Sequence, residues 1–181
     1  MPEVIEAWGL VVKAKGLKNS FIGELVYVGK ENLIGEIISL NKEIATIQVY
    51  EDTTGLKIGD EVKPSGEFLS IELGPGLIGK VLDGLGRPLQ EFLKESYFIK
   101  KGFTFETLNK ERKWRFIPKV KPGDYLKELD IIGEVPETFL ITHKIMVPLK
   151  MKGRVIEIAR EGEYKISETI CKIQDEDKIY E

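Results

Sequence analysis

The feature that most constrains the fold is a series of short β-type segments separated by glycine-containing turns. The clearest segment covers residues 45–50, in which Ala45, Ile47 and Val49 alternate with polar side chains. A period of two is typical of a half-buried strand. Segments of similar character in the first seventy residues are 24–28, 33–40, 61–63 and 68–73. Many short strands at hairpin spacing favour a small closed β-barrel, which leaves no exposed sheet edge.

A stretch rich in glycine and proline follows this region. It covers residues 73–88 and contains GPG at its start and GLGRP at its end. This composition interrupts regular structure and marks a connector. One short helix is predicted after it, over residues 89–95, because Pro88 suits a first helical turn and Leu89, Phe92 and Leu93 share a face.

The remainder of the chain returns to β character and predicts a second compact β module. Its apolar centres are 120, 125–126, 131–132, 139–141, 145–147, 155–158 and 170–173. The sequence therefore predicts a mainly β protein with an N-terminal β-barrel at 1–72, a connector at 73–112 and a β module at 113–181. Turns at 57–60 and 121–124 are alike, but shared turn chemistry does not establish an internal repeat.

Composition and charge exclude several classes of protein. The 181 residues are 42% hydrophobic and 31% charged, and no apolar run is long enough to span a bilayer. The N-terminus carries Glu3 and Glu6 and no basic residue before its apolar segment, unlike a secretory signal. We therefore expect a cytoplasmic protein. The net charge of -3 provides no strong field to attract a polyanion, which disfavours nucleic acid as the main partner.

Side chains that carry chemistry are scarce. A single cysteine, Cys171, and a single histidine, His143, fall short of the ligand clusters that bind zinc. We expect a buried thiol and a structural imidazole rather than a catalytic pair. Acidic clusters such as Glu51-Asp52 and residues 175–177 are interpreted as ordinary surface charge, since no paired carboxylates have the spacing of a general acid and base.

Two glycine-containing segments resemble phosphate-binding loops only in part. Residues 74–79 (GPGLIG) satisfy the G-x-G-x-x-G pattern after a predicted strand, but the following DGLGRP cannot continue the required helix. Gly29-Lys30 and Gly79-Lys80 lack the Ser or Thr that completes a Walker A loop. The sequence therefore predicts no phosphate cradle.

Basic and aromatic residues alternate at 110–116 (KERKWRF). Such a segment could bind single-stranded nucleic acid if bases stacked on Trp114 or Phe116. The alternative is a solvated connector with two apolar anchors. The acidic neighbouring segments and the negative total charge favour the connector.

Several longer segments together resemble one family. Residues 45–60 (ATIQVYEDTTGLKIGD), 69–77 (LSIELGPGL), 83–84 (DG) and 87–89 (RPL) are similar to the catalytic A-type chain of archaeal/vacuolar-type rotary ATPases. Residues 114–116 (WRF), 120–124 (VKPGD), 133–135 (GEV) and 143–148 (HKIMVP) resemble the insertion that distinguishes this catalytic chain from its non-catalytic partner. Gly86 is a departure, since the family usually has glutamine there.

The resemblance implies a barrel in the crown of an alternating hexamer, a first piece of the nucleotide-binding domain, and a protruding insertion called the bulge. In the family, the phosphate loop, the Mg²⁺ acids and the water-activating glutamate lie downstream of the bulge. The resemblance thus implies no catalytic, nucleotide-binding or metal residue and no cofactor in this chain, which alone would be inactive, whereas the intact subunit would use Mg-ATP. The candidates for a structural strap between crown and motor, within residues 74–89, are Gly74, Pro75, Gly76, Gly79, Asp83, Gly84, Arg87 and Pro88.

The same resemblance implies partners and a location. The partners would be the non-catalytic B subunits, other catalytic subunits of the hexameric head and, through the bulge, the peripheral stalk. Neither nucleic acid nor direct membrane insertion is implied. The complex would be peripheral on the cytoplasmic face of the membrane.

Two further readings of the sequence remain open. The β module at 113–181 also resembles biotinyl or lipoyl carrier domains. Alignment on His143 and Pro148, however, places Leu140 where a carrier exposes its modified lysine. Leucine cannot form the amide link, so a similar barrel-sandwich fold without the carrier function is expected. The other reading is a free-standing scaffold or interaction module without ATPase activity.

Overall fold

The protein is represented by a computed structural model that describes residues 1–90, 101–102, 106–176 and 178–181. The chain divides into two compact units. Unit 1 comprises Met1–Ile71 and Asp83–Phe105, and unit 2 comprises Glu72–Leu82 and Glu106–Glu181. Nearly all regular structure in the described residues is β-strand.

The described residues of unit 1 contain one six-stranded antiparallel sheet. Its strands are β1 (Glu3–Trp8), β2 (Val11–Lys15), β3 (Glu24–Val28), β4 (Leu33–Asn41), β5 (Ile44–Val49) and β6 (Val62–Phe68). The order across the sheet is β1-β2-β5-β4-β3-β6. Hairpins link β1 to β2, β3 to β4 and β4 to β5, as expected for short strands joined by tight turns.

The two end strands of this sheet also meet, which closes it. The Val62 N–H donates to the Pro2 carbonyl at 3.0 Å, and the Val4 N–H donates to the Asp60 carbonyl at 2.8 Å. An antiparallel bridge between Glu3 and Glu61 lies between these bonds. The backbone groups at the start of β1 are therefore paired, and the predicted closed barrel is confirmed.

The core of unit 1 follows from the period-two pattern. Ala45, Ile47 and Val49 on β5 are fully buried, as their alternation predicts. They contact an apolar cluster contributed by the other strands: Val4, Val12, Ala14, Leu17, Val26, Val28, Leu33, Ile37 and Val62.

The predicted strand at 68–73 is wrong. Strand β6 ends at Phe68, and residues 69–73 have no regular structure. Their apolar side chains alternate, but Leu73 is 79% exposed and finds no core to cover. Among the residues that the structure describes, no strand pairs with 69–73, and sheet formation requires such a partner as well as the alternating pattern.

Eight short strands form two four-stranded sheets in the part of unit 2 that the structure describes. They are β7 (Lys113–Pro118), β8 (Tyr125–Leu126), β9 (Ile131–Pro136), β10 (Thr142–Met146), β11 (Gly153–Ile158), β12 (Gly162–Lys165), β13 (Cys171–Asp175) and β14 (Lys178–Tyr180). The orders are β10-β9-β7-β12 and β14-β13-β11-β8. A common core receives Ile132 from the first sheet and Leu126, Val155, Cys171 and Ile173 from the second. The predicted second β module is confirmed.

The predicted apolar centre at 139–141 is also wrong. These residues form the loop between β9 and β10, where Phe139 is fully exposed and Leu140 is 85% exposed. The Thr138 side chain accepts hydrogen bonds from the N–H groups of Leu140 and Ile141, so the loop is a tight turn and not a strand.

The helix predicted over 89–95 lies almost entirely outside the described residues. Leu89 and Gln90 are helical, and the rest of the predicted helix lies in 91–100. Within the ranges that the structure describes, no helix is sufficiently long and apolar to cross a bilayer.

Candidate functional site

The strap predicted at 74–89 is divided between the two units. Glu72–Leu82 belong to unit 2, whereas Asp83–Phe105 belong to unit 1. Gly74, Pro75, Gly76 and Gly79 therefore lie in unit 2, whereas Asp83, Gly84, Arg87 and Pro88 lie in unit 1. Each half is attached to its own unit by a buried carboxylate.

In unit 1, the strap forms a tight turn around the Asp83 side chain. One carboxylate oxygen, Oδ1, accepts from the backbone N–H groups of Leu85 and Arg87, both at 2.9 Å. The Gly86 N–H donates to the Asp83 carbonyl at 3.1 Å, and the Asp83 N–H donates to the Arg87 carbonyl at 3.0 Å. Asp83 thus sets the turn that presents the Arg87 side chain.

Arg87 joins this turn to the barrel through two buried ion pairs. Its Nε donates to Asp83 Oδ2 at 2.7 Å and its Nη1 donates to Glu51 Oε1 at 2.8 Å. Glu51 lies two residues after the end of β5, and Glu51 and Arg87 are each 8% exposed. The other Glu51 oxygen accepts from the N–H groups of Ile34 and Gly102, at 3.3 and 3.1 Å.

Electrostatics fixes the protonation states in this cluster. Burial raises the pKa of Asp83, but hydrogen bonds from Arg87 and Leu85 and the guanidinium charge outweigh it, and the net pKa is lowered. Burial likewise lowers the pKa of Arg87, and the bonds to Asp83 and Glu51 reverse that effect, so the net pKa is raised. The guanidinium and the Asp83 carboxylate remain charged at neutral pH.

An exposed pair attaches residues 101–102 at the same end of the barrel. Lys101 Nζ lies 2.8 Å from the Asp52 carboxylate and donates to the Thr54 carbonyl at 3.0 Å. The hydrogen bond from Lys101, followed by those from Thr54, lowers the pKa of Asp52 to about 2. The loop after β5 therefore contacts both chain segments that return to unit 1.

In unit 2, the first half of the strap is held by Glu137. The Glu137 Oε1 accepts from the N–H groups of Gly76 and Ile78, at 2.6 and 3.3 Å. The Glu137 side chain is 4% exposed, and its other oxygen lies 3.9 Å from His143 Nδ1. Lys80 adds a further bond from its ammonium group to the Thr107 carbonyl, at 2.7 Å.

Gly76 allows the strap to pass close to Trp114. Its φ of +103° favours glycine, and a Cβ added there would lie 3.0 Å from Trp114 Cζ2. Trp114 is 7% exposed and Phe116 is 1% exposed, so neither presents a face on which a base could stack. The guanidinium of Arg112 covers the Trp114 ring at 3.8 Å.

A cavity of about 710 Å³ lies beside this part of the strap. Its walls within unit 2 include Leu73, Gly74, Pro75, Leu108 and Tyr164. The residue types are mixed and do not form a catalytic constellation. Among the residues that the structure describes, no cluster of three or more His, Cys, Asp or Glu side chains is placed to hold a metal ion.

Of the single cysteine and the single histidine, Cys171 lies away from the residues that hold the strap, whereas His143 lies beside Glu137, which is one of them. Cys171 is buried in the core of unit 2, and burial raises the pKa of its thiol. His143 lies near Glu137 instead, on β10. Burial of Cys171 agrees with its expected structural role.

Sequence reasoning missed the two carboxylates that hold the strap. The interpretation of Glu51 as surface charge is wrong, because its side chain is buried against Arg87. The alternation of Ala45, Ile47 and Val49 places position 51 on the inward side as well, so extending the pattern by two residues could have found it. Glu137 lies just after β9 and has no such signal.

Two family models match the chain. The model described as "ATP synthase alpha/beta family, beta-barrel domain" matches residues 4–66, and the one described as "ATPsynthase alpha/beta subunit barrel-sandwich domain" matches residues 105–181. These ranges correspond to the closed sheet of unit 1 and to the strands of unit 2. The segment between them contains the strap.

Individual relatives give the same result. The chain is 49% identical over 176 residues to the A subunit of the A-type ATP synthase of Methanopyrus kandleri, a match that covers 97% of the chain and 30% of the relative. It is 50% identical over 172 residues to the protein of the same name from Pyrococcus abyssi, covering 94% of the chain and 17% of the relative. It is 45% identical over 175 residues to the V-type ATP synthase alpha chain of Halothermothrix orenii, covering 96% and 30%.

The fold thus defines a β-barrel and a barrel-sandwich module linked by a glycine- and proline-rich strap. The chain belongs to the ATP synthase alpha/beta family, in which it matches the N-terminal region of the catalytic subunit of the A/V-type enzymes. It spans about a third or less of the length of these curated relatives.

Proposed function

We propose that this chain supplies the assembly region of the catalytic subunit of an A/V-type rotary ATPase. The intact subunit would make or hydrolyse ATP, with Mg-ATP as its cofactor, coupled to the transport of H⁺ or Na⁺. The observation that carries the proposal is an identity of 45–50% over nearly the whole chain to the corresponding subunits of ATP synthases.

In this proposal the closed barrel of unit 1 belongs to the crown of the hexameric head, between B subunits and alongside other catalytic subunits. A closed sheet suits this role because its backbone groups are paired internally and it resists shear. Unit 2 would be the bulge and would reach the peripheral stalk. The complex would sit on the cytoplasmic face of the membrane.

The strap would hold the barrel in register with the nucleotide-binding domain. Support comes from the two buried anchors, Arg87 with its carboxylates in unit 1 and Glu137 with the Gly76 and Ile78 amides in unit 2. Anchors of this kind fix a glycine-rich segment that would otherwise sample many conformations. The proposed role of these residues is therefore mechanical, and this chain by itself would not hydrolyse ATP.

The first test is to read the coding region in frame beyond Glu181. A G-x-x-x-x-G-K-[ST] loop there supports a catalytic subunit, because this loop cradles the nucleotide phosphates. A stop codon directly after Glu181 would remove the enzyme claim and leave the scaffold role.

The second test stiffens the strap in the assembled complex. Gly76→Val should impair head assembly or ATP turnover, because its side chain would be strained and would meet Trp114. Gly79→Val introduces the same backbone strain without the clash, since Gly79 also has positive φ but an added Cβ meets nothing within 4 Å; a larger defect in the Gly76 variant would assign the effect to the contact with Trp114. Normal assembly and turnover of the Gly76 variant would contradict the strap role.

A further inference from the structure

Three turns of the chain share one hydrogen-bonding pattern. They cover residues 57–60, 121–124 and 127–130, and each begins with lysine and ends with aspartate. In each turn, the aspartate carboxylate accepts from the N–H of that lysine, at 2.8, 2.8 and 2.7 Å. The third residue of each turn has positive φ. It is Gly59 in the first turn and Gly123 in the second, but Leu129 in the third.

Leu129 therefore occupies a positive-φ position that is glycine in the other two turns. Its φ of +67° brings its Cβ close to backbone atoms, a conformation that glycine adopts without strain. Burial does not compensate for this strain, since the Leu129 side chain is 57% exposed. A strained apolar residue that faces solvent, where glycine would fit, indicates a function for the side chain itself.

Leu129 lies among other exposed apolar side chains. Its N–H donates to the Val147 carbonyl at 2.9 Å, which places it next to the end of β10. Met146 on β10 is the cross-strand partner of Ile131 on β9, and Leu149 follows two residues after Val147. We name Leu129, Ile131, Met146 and Leu149 the Leu129 patch; its members are 57, 36, 50 and 65% exposed.

Lysines accompany this patch in sequence and on the same strand. Lys127 begins the turn, Lys144 lies two residues before Met146, and Lys150 and Lys152 follow Leu149. All four are exposed, and none forms an ion pair within the part of the chain that the structure describes. The patch therefore combines apolar surface with four lysines, which outnumber the two carboxylates of the same turn, Glu128 and Asp130.

Strand β10, which carries Met146 of the Leu129 patch, lies at the edge of a sheet. Strand β10 is the terminal strand of its sheet, in the order β10-β9-β7-β12. A terminal strand offers backbone N–H and C=O groups that an extended polypeptide can pair with. A lipid surface cannot pair with such a row of groups in the way that a polypeptide backbone can.

We propose that the Leu129 patch, together with the β10 edge, is a docking site for an extended, acidic polypeptide segment of a partner. Alternate apolar side chains of that segment cover the patch, and its carboxylates pair with the four lysines. Its backbone adds a strand beside β10. This assignment goes beyond the assembly role proposed above, because it names a surface and the chemistry of its partner. Its test does not depend on head assembly or ATP turnover.

The test uses the 181-residue chain and fluorescein-labelled eight-residue peptides. In the first peptide, valine and glutamate take turns at every second position with serine between them, so that both lie on one face of the strand; the second peptide has lysine in place of glutamate, and the third is the glutamate peptide with N-methylated amides. We expect saturable binding of the glutamate peptide that weakens as salt is added, and at least tenfold weaker binding of the other two. Fluorescence anisotropy measures each dissociation constant.

Two variants locate the site. Leu129→Gly should weaken binding of the glutamate peptide at least fivefold while raising the Tm of the chain, a combination that loss of a structural contact would not give. Ile179→Ala is the matched control, because Ile179 is also 57% exposed in unit 2 but lies on β14. It should leave binding unchanged.

Three results would overturn the proposal. They are equal binding of the glutamate and lysine peptides, unchanged binding by the Leu129→Gly variant, and the absence of saturable binding up to about 1 mM peptide. Phosphatidylserine vesicles serve as a further probe. Leu129-dependent binding to vesicles without peptide binding would assign the patch to a membrane surface instead.

Discussion

Replacing Arg87 by methionine tests whether the buried ion pairs anchor the strap to the barrel. Methionine keeps much of the length and apolar character of the arginine stem but removes the guanidinium. The change leaves the carboxylates of Asp83 and Glu51 without the cation that lies 2.7 and 2.8 Å from them. Their side chains are 15% and 6% exposed, so water replaces the lost partner poorly.

The expected loss of stability follows from this geometry. Removing one partner of a buried ion pair typically costs about 3–5 kcal/mol, because an uncompensated charge is left behind. Here each carboxylate keeps two backbone N–H donors, from positions 85 and 87 for Asp83 and from Ile34 and Gly102 for Glu51. Because these donors remain, we expect the free energy of unfolding to fall by an amount at the lower end of that range, about 3 kcal/mol at pH 7. The part of the loss that comes from Asp83 should shrink as the pH falls below its unfolded pKa of about 4, because the folded-state pKa of Asp83 is lowered partly by Arg87.

Urea denaturation followed by circular dichroism measures this change. With a slope of about 1–1.5 kcal/mol/M for a unit of this size, the unfolding midpoint of unit 1 should fall by roughly 2–3 M. Lys15→Met is the matched control in the same unit. It breaks the exposed Lys15–Glu3 pair, whose side chains are 54% and 41% exposed, and should leave the midpoint essentially unchanged.

Two results would refute the reasoning. A loss below about 1 kcal/mol for Arg87→Met at pH 7 would mean that the cluster does not hold the turn against the barrel. A loss that stays equal as the pH falls from 7 to well below about 4 would mean that lost contacts of the arginine stem, and not the unpaired Asp83 carboxylate, cause the effect.

Further changes test other parts of the structure. Because the folded-state pKa of Asp83 is lowered, its stabilising effect is present above the unfolded pKa of about 4 and is lost as pH falls through the folded value; Asp83→Asn should therefore flatten the acid branch of a urea midpoint against pH profile. Leu129→Gly should raise the free energy of unfolding of unit 2 by about 0.5–1 kcal/mol, whereas Gly123→Ala should lower it by about 1 kcal/mol. Denaturant titration measures both changes. A lower free energy of unfolding for Leu129→Gly would contradict the strain assigned to that turn. Glu137→Ala should lower the free energy of unfolding of unit 2 by about 1–3 kcal/mol, because the N–H groups of Gly76 and Ile78 lose their acceptor. Hydrogen exchange at these two N–H groups should accelerate. Buried Cys171 should react with a thiol reagent much more slowly in the folded chain than in urea, and equal rates would contradict its burial.

The sequence by itself determined several of the strands of unit 1 and the inward face of β5. Alternation with a period of two depends on local backbone geometry, so Ala45, Ile47 and Val49 could be assigned to the core before any partner strand was known. The resemblance to the catalytic subunits of A/V-type ATPases likewise depends on sequence segments alone, and the comparisons confirm it.

Only the tertiary structure decided which charges are buried and which apolar residues are not. Glu51 and Arg87 are 36 residues apart, and no local pattern states that their side chains meet away from water. Phe139 has the apolar character of a core residue but lies in a turn that faces solvent. Burial depends on which distant segments cover a residue, whereas the period of its own segment indicates only which residues share a face. The strap anchors and the Leu129 patch therefore emerge from the fold and not from the sequence.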